Sequence, residues 1–66
     1  FIESIVDQIF KENPKAVNDA LKNPKAINFL VGAVMKKTRG RADPSLTIEI
    51  IKNKLEKIRE SFRSNN

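Results

Sequence analysis

The sequence contains no histidine and no cysteine among its 66 residues. Nucleophile systems built on either side chain are therefore excluded, and so are the usual zinc, iron–sulfur and haem sites, whose ligands are missing. The serines have no histidine to activate them, and the carboxylates of the N-terminal half are scattered. No disulfide can form, so nothing indicates an oxidising compartment. We expect no catalytic residue, no metal ligand and no cofactor in this domain.

Long hydrophobic runs are also absent. The longest is Phe29–Met35, seven residues, far too short to span a bilayer, so we expect no membrane partner. Sixty-six residues allow one small domain of marginal stability. The chain starts at Phe1 without methionine, which is typical of a fragment or a processed chain.

Three prolines divide the sequence into helices. Apolar residues at helical spacing from Ile2 to Ile9 predict a first helix over about 1–12, which ends before Pro14. Asn13 and Pro14 then form a helix start, with the asparagine as N-cap of a short second helix. Asn23 and Pro24 repeat the same arrangement.

The third helix is predicted over about 24–38, and Gly40 supplies a left-handed stop. Gly32 in its interior indicates close approach by another helix. One continuous apolar face is formed by Ile27, Leu30, Val31, Val34, Met35 and Thr38. We expect the aromatic and methionine side chains to be core residues: Phe1, Phe10, Phe29, Met35 and Phe62.

Asp43 and Pro44 open a fourth helix. Its apolar stripe is Ile48, Ile51, Leu55, Ile58 and Phe62, with Leu46 and Ile50 beside it. The sequence thus predicts an all-α bundle of four helices, the second one short, around a central third helix. Residues 63–66 are polar, and we expect a frayed tail there.

Positive charge is concentrated in the second half of the chain. Residues 1–33 are neutral, whereas residues 34–66 carry the whole net charge of +5. The densest group, which we call the basic cluster, is Lys36, Lys37, Arg39 and Arg41. One interpretation is structural, because cations near a helix C-terminus interact favourably with its dipole. The other is functional, because a basic loop containing glycine can approach a phosphate backbone closely. Without groups that read bases, it would add little sequence specificity.

The sequence from Asn13 to Leu55 resembles the C-terminal domain of the GatB/YqeY family. The resemblance rests on Asn13-Pro14-Lys15-Ala16-Val17, Phe29-Leu30-Val31-Gly32, Val34-Met35-Lys36 and Gly40-Arg41-Ala42-Asp43-Pro44. The likeness is greater to the tails of GatB-type amidotransferase subunits than to free-standing YqeY proteins. Ala33 departs from the family pattern, where glutamine is frequent, and Lys37 stands where a smaller residue is common.

The resemblance implies a single tail domain over residues 1–66, part of a larger cytoplasmic subunit. It implies a parent ligase that amidates Asp- or Glu-tRNA using glutamine, ATP and Mg²⁺ in association with other amidotransferase subunits. The tail is the part associated with gripping the tRNA body, and Lys36, Arg39 and Arg41 match basic positions of the family. Two alternatives stay open: a protein–protein docking module that uses an apolar face near Phe29 and Gly32, and a free-standing YqeY-like protein.

Overall fold

The computed structural model describes residues 1–64. Within that range the chain forms four α-helices and one 3₁₀ turn, with no strand. The helices are α1 (Ile2–Glu12), α2 (Pro14–Lys22), α3 (Ile27–Lys37) and α4 (Pro44–Ser64), and the 3₁₀ turn is Pro24–Ala26. The predicted all-α bundle with a short second helix is confirmed.

Helix α3 lies at the centre of the bundle. It packs against α1, α2 and α4, which confirms its predicted position. Leu30 and Val34 of α3 are completely buried. The apolar core that forms around them contains Val6, Ile9, Val17, Ala20, Leu30, Val34, Ala42, Ile51 and Leu55.

The junction between α1 and α2 differs from the prediction. Asn13 makes no side-chain cap on α2. Its Nδ2 instead donates to the carbonyl of Ile9 at 3.0 Å, so the side chain closes the end of α1. A C-terminal carbonyl of α1 gains a partner this way, which is the same need that an N-cap meets for amides.

The other two predicted caps are confirmed. Oδ1 of Asn23 accepts from the amide of Lys25 at 3.0 Å, although the first turn is a 3₁₀ turn and α3 begins only at residue 27. Oδ1 of Asp43 accepts from the amide of Ser45 at 2.9 Å. Each of these caps satisfies an amide that has no partner within its own helix.

The buried face of α4 is centred elsewhere than predicted. Thr47, Ile51 and Leu55 are buried and follow one another every fourth residue. Leu46 is exposed because its neighbour Thr47 faces the core, and adjacent helical residues point about 100° apart. Phe62 is also exposed, so the prediction that it closes the stripe was wrong.

The remaining aromatic predictions divide. Phe1 is exposed, contrary to expectation, whereas Phe10 and Met35 are half-buried against the core. No helix within residues 1–64 combines the length and apolarity needed to cross a bilayer. The predicted frayed tail starts inside α4, whose backbone is helical to Ser64, and residues 65–66 lie outside the described range.

Candidate nucleic-acid interface

The basic cluster lies where α3 ends and turns toward α4. Gly40 has a φ of 77°, which confirms the predicted left-handed stop, and its amide donates to the carbonyl of Met35 at 2.8 Å. Arg39 is left-handed as well, with a φ of 56°. This conformation is uncommon for a residue that has a Cβ, and it was not predicted from the sequence.

The loop backbone has no amide left for an anion. The amide of Arg39 donates to Lys36 O at 3.2 Å, and that of Arg41 donates to Thr38 O at 3.2 Å. The Gly40 amide is occupied as well. Consecutive left-handed and right-handed residues can form an anion-binding nest, but here helix carbonyls fill it. Any anion bound at this loop must therefore interact with side chains.

Thr38 holds the loop to the core. Its side chain is almost completely buried, and Oγ1 donates to the carbonyl of Val34 at 3.0 Å. The same oxygen accepts from the amide of Ala42 at 3.3 Å. A buried hydroxyl with both donor and acceptor roles filled fixes the loop relative to the helix.

The four side chains of the basic cluster are exposed but are not equivalent. Nζ of Lys37 lies 3.2 Å from Oε1 of Glu12, which places a carboxylate from α1 against this cation. Lys36, Arg39 and Arg41 form no ion pair with any described side chain. The structure therefore divides the predicted site into three unpaired cations and one that is partly neutralised.

The cluster also divides spatially. Lys37, Arg39 and Arg41 line one hollow of about 370 Å³, which Phe1 and Ile5 complete. Lys36 does not line this hollow, because consecutive helical residues point about 100° apart. It belongs instead to the solvent-facing side of α3.

Acidic side chains elsewhere are placed against other cations. Asp7 of α1 pairs with Lys54 at 2.7 Å, and Glu56 pairs with Arg59 at 3.1 Å. Both pairs involve α4 and not the loop after α3. The excess positive charge of the chain is consequently least balanced around residues 36–41.

Phe29 was predicted to be a core residue, and the structure contradicts this. Its side chain is 58% exposed. Gly32 was predicted to allow close helix approach, yet nothing lies within 4 Å of the point where a Cβ would stand. The signal for both was available, because the apolar face of α3 is already complete without them. Neither residue therefore serves the packing of this domain.

Metal-binding side chains do not come together here. No group of three acidic side chains that could hold a cation occurs in the described part of the chain. With histidine and cysteine missing as well, the interface is one of charge and surface shape.

Comparison with known proteins gives the family. The family model described as the GatB domain matches residues 1–55. The chain belongs to this family. The matched segment of this GatB domain contains α1 to α3, the whole basic cluster and the first half of α4.

The curated relatives of this GatB domain share one description, the GatB-type subunit of an aspartyl/glutamyl-tRNA(Asn/Gln) amidotransferase. The protein from Saccharolobus solfataricus is 53% identical over 55 residues, which are 83% of this chain and 12% of that protein. The protein from Methanobrevibacter smithii is 56% identical over 52 residues, 77% of this chain and 12% of its own length. That from Carboxydothermus hydrogenoformans is 48% identical over 59 residues, 86% and 12% respectively.

The chain thus spans about 12% of the length of these relatives. No solved structure matches it.

Proposed function

We propose that this GatB domain binds tRNA as the tail of the GatB subunit of a glutamine-dependent Asp/Glu-tRNA amidotransferase. It grips the tRNA body through the basic cluster, in the cytoplasm. Relatives about half identical over this domain are named as subunits of an enzyme acting on Asp/Glu-tRNA, which supports that assignment. Its partners are the tRNA and, through the parent protein, the other amidotransferase subunits.

One observation carries the proposal. Lys36, Arg39 and Arg41 are exposed, lie within six residues and have no acidic partner among the described side chains. Cations in this state can neutralise phosphates and release condensed counterions, which favours nucleic-acid binding. Lys37 joins them when its contact with Glu12 opens, since exposed ion pairs are weak.

Catalysis belongs to another part of the parent protein. This chain has no histidine or cysteine, and its described residues hold no acidic group suited to Mg²⁺. The residues present therefore do not fit a site for ATP and Mg²⁺, which the remainder of the parent would bind. The domain positions the substrate while the reaction occurs elsewhere.

The double substitution Lys36→Glu with Arg41→Glu tests this proposal in the protein that contains the domain. Binding of a tRNA(Gln) transcript should weaken by at least tenfold at 0.1 M salt, because reversal adds repulsion to the loss of two contacts. Helix content, followed by circular dichroism, should be unchanged since both side chains are exposed. Unaltered affinity would contradict the proposal.

A docking module is the second candidate. Phe1 and Leu46 are exposed apolar side chains that line one shallow hollow with Ile2 and Ile50. Contiguous exposed apolar surface is typical of protein interfaces. Under this alternative Leu46→Glu should release the other subunits without affecting tRNA affinity. A gene without coding sequence upstream of Phe1 would instead favour a free-standing YqeY-like protein.

A further inference from the structure

The solvent-facing side of α3 carries four consecutive exposed positions of one helix face. They are Asn28, Phe29, Gly32 and Lys36. This side is opposite to Leu30 and Val34, which are buried in the core. Phe29 and Lys36 are seven residues apart, so they lie on nearly the same line along the helix, separated by about 10.5 Å.

Gly32 lies between these two side chains and has no role within the fold. A glycine in a helix interior destabilises it by about 1 kcal/mol relative to alanine. A Cβ at this position would meet no atom within 4 Å, so packing does not require its absence. The missing side chain leaves helix backbone accessible beside Phe29, which benefits only a molecule that approaches from outside.

We propose that Phe29 stacks on an unpaired base of the bound tRNA, while Gly32 admits the sugar and Lys36 contacts the phosphate. This inference rests on the proposed function and adds a non-electrostatic contact to it. Bases in RNA loops are commonly held by stacking on aromatic side chains. Stacking does not depend on base identity, because every base has a π-face.

Charge favours a nucleotide over an apolar protein segment as the occupant. None of the four exposed positions is acidic, and the one charged side chain among them is a lysine. On the α2 side, Phe29 borders a hollow that also contains Glu12 and Asp19. A polyanion therefore approaches Phe29 from Gly32 and Lys36, away from these carboxylates.

The test measures binding of a tRNA(Gln) transcript, with tRNA(Asn) in parallel, to the protein that contains this domain. Phe29→Leu should weaken binding by about 5- to 150-fold without changing its salt dependence, because a lost stacking contact releases no counterion. Phe29→Trp should restore affinity, since tryptophan also stacks. Phe62→Leu, which removes another exposed phenylalanine, is the matched control and should leave affinity unchanged.

Gly32→Ala separates binding from folding. Alanine should raise helix stability, yet its methyl group should weaken tRNA binding if the RNA contacts the backbone there. Wild-type affinity in Phe29→Leu would overturn the inference. So would loss of subunit assembly in Phe29→Leu with tRNA affinity intact, because that result identifies a protein partner.

The charge variants distinguish the two failures. If Lys36→Glu with Arg41→Glu weakens binding and Phe29→Leu does not, the stacking inference alone is wrong. If neither affects binding, the proposed function is wrong as well.

Discussion

The hydroxyl of Thr38 accepts a hydrogen bond from the amide of Ala42 at 3.3 Å, and this contact joins the end of α3 to the loop before α4. Both residues are buried. The cations at positions 39 and 41 lie between them in sequence. Their position in space therefore depends on a contact that contains no charge.

Thr38→Val should destabilise the domain by about 1–3 kcal/mol. The substitution preserves shape but leaves the buried amide of Ala42 without a partner. Urea denaturation of the variant and the wild-type chain measures the difference in free energy of unfolding. An unchanged midpoint would show that the loop does not depend on this hydroxyl.

Thr47→Val should have the opposite sign. Thr47 is fully buried, and its Oγ1 has no hydrogen-bond partner. Replacing an unsatisfied buried hydroxyl by a methyl group should stabilise the fold by about 1 kcal/mol. The two threonine variants control for each other, because both exchange the same groups in the same core. Destabilisation by Thr47→Val would indicate a partner for the hydroxyl.

Glu12→Gln should strengthen tRNA binding. The substitution removes the carboxylate that lies 3.2 Å from Nζ of Lys37 and leaves that cation free to contact phosphate. One added contact should steepen the log–log salt dependence of the binding constant by up to about 0.9. Glu49→Gln on α4 changes the net charge equally and should have a smaller effect. Equal responses would mean that total charge, not the contact with Lys37, is responsible.

Arg39→Gly should stabilise the chain and weaken tRNA binding together. A left-handed conformation is unfavourable for arginine, whereas glycine adopts it readily, so the gain is about 0.5–1 kcal/mol. The same substitution deletes one unpaired cation of the basic cluster. Denaturation and filter binding on one variant measure both effects. A loss of stability would show that the arginine is placed there for the fold.

Helix boundaries and most caps could be predicted from the sequence because proline, glycine and aspartate act locally. Pro14, Gly40 and Asp43 each impose a backbone geometry or satisfy a neighbouring amide, whatever surrounds them. Asn13 was the exception. Its side chain can reach a carbonyl behind it or an amide ahead of it, and the sequence does not distinguish these.

The orientation of each helix about its axis could not be predicted equally well. Thr47 faces the core and Leu46 faces solvent because the crossing of α4 over α3 determines which residues are covered. Residue hydrophobicity alone favoured the reverse. Phe29 was misplaced for the same reason, and its exposure became apparent only with all four helices in place.

The position of the basic cluster followed from the sequence, but its charge balance did not. Lys37 and Glu12 are 25 residues apart, and only the packing of α1 against α3 brings them together. The left-handed conformation of Arg39 was equally hidden, since no residue type at that position required it.

The salt dependence of tRNA binding tests the central claim most directly. The triple variant Lys36→Gln, Arg39→Gln and Arg41→Gln should be compared with a control that removes three exposed lysines elsewhere, at positions 11, 22 and 52. The claim predicts that the log–log slope flattens by about 2–3 in the first variant and by much less in the control, because each lost phosphate contact removes about 0.7–0.9. Equal slopes in both variants would contradict a tRNA interface at residues 36–41.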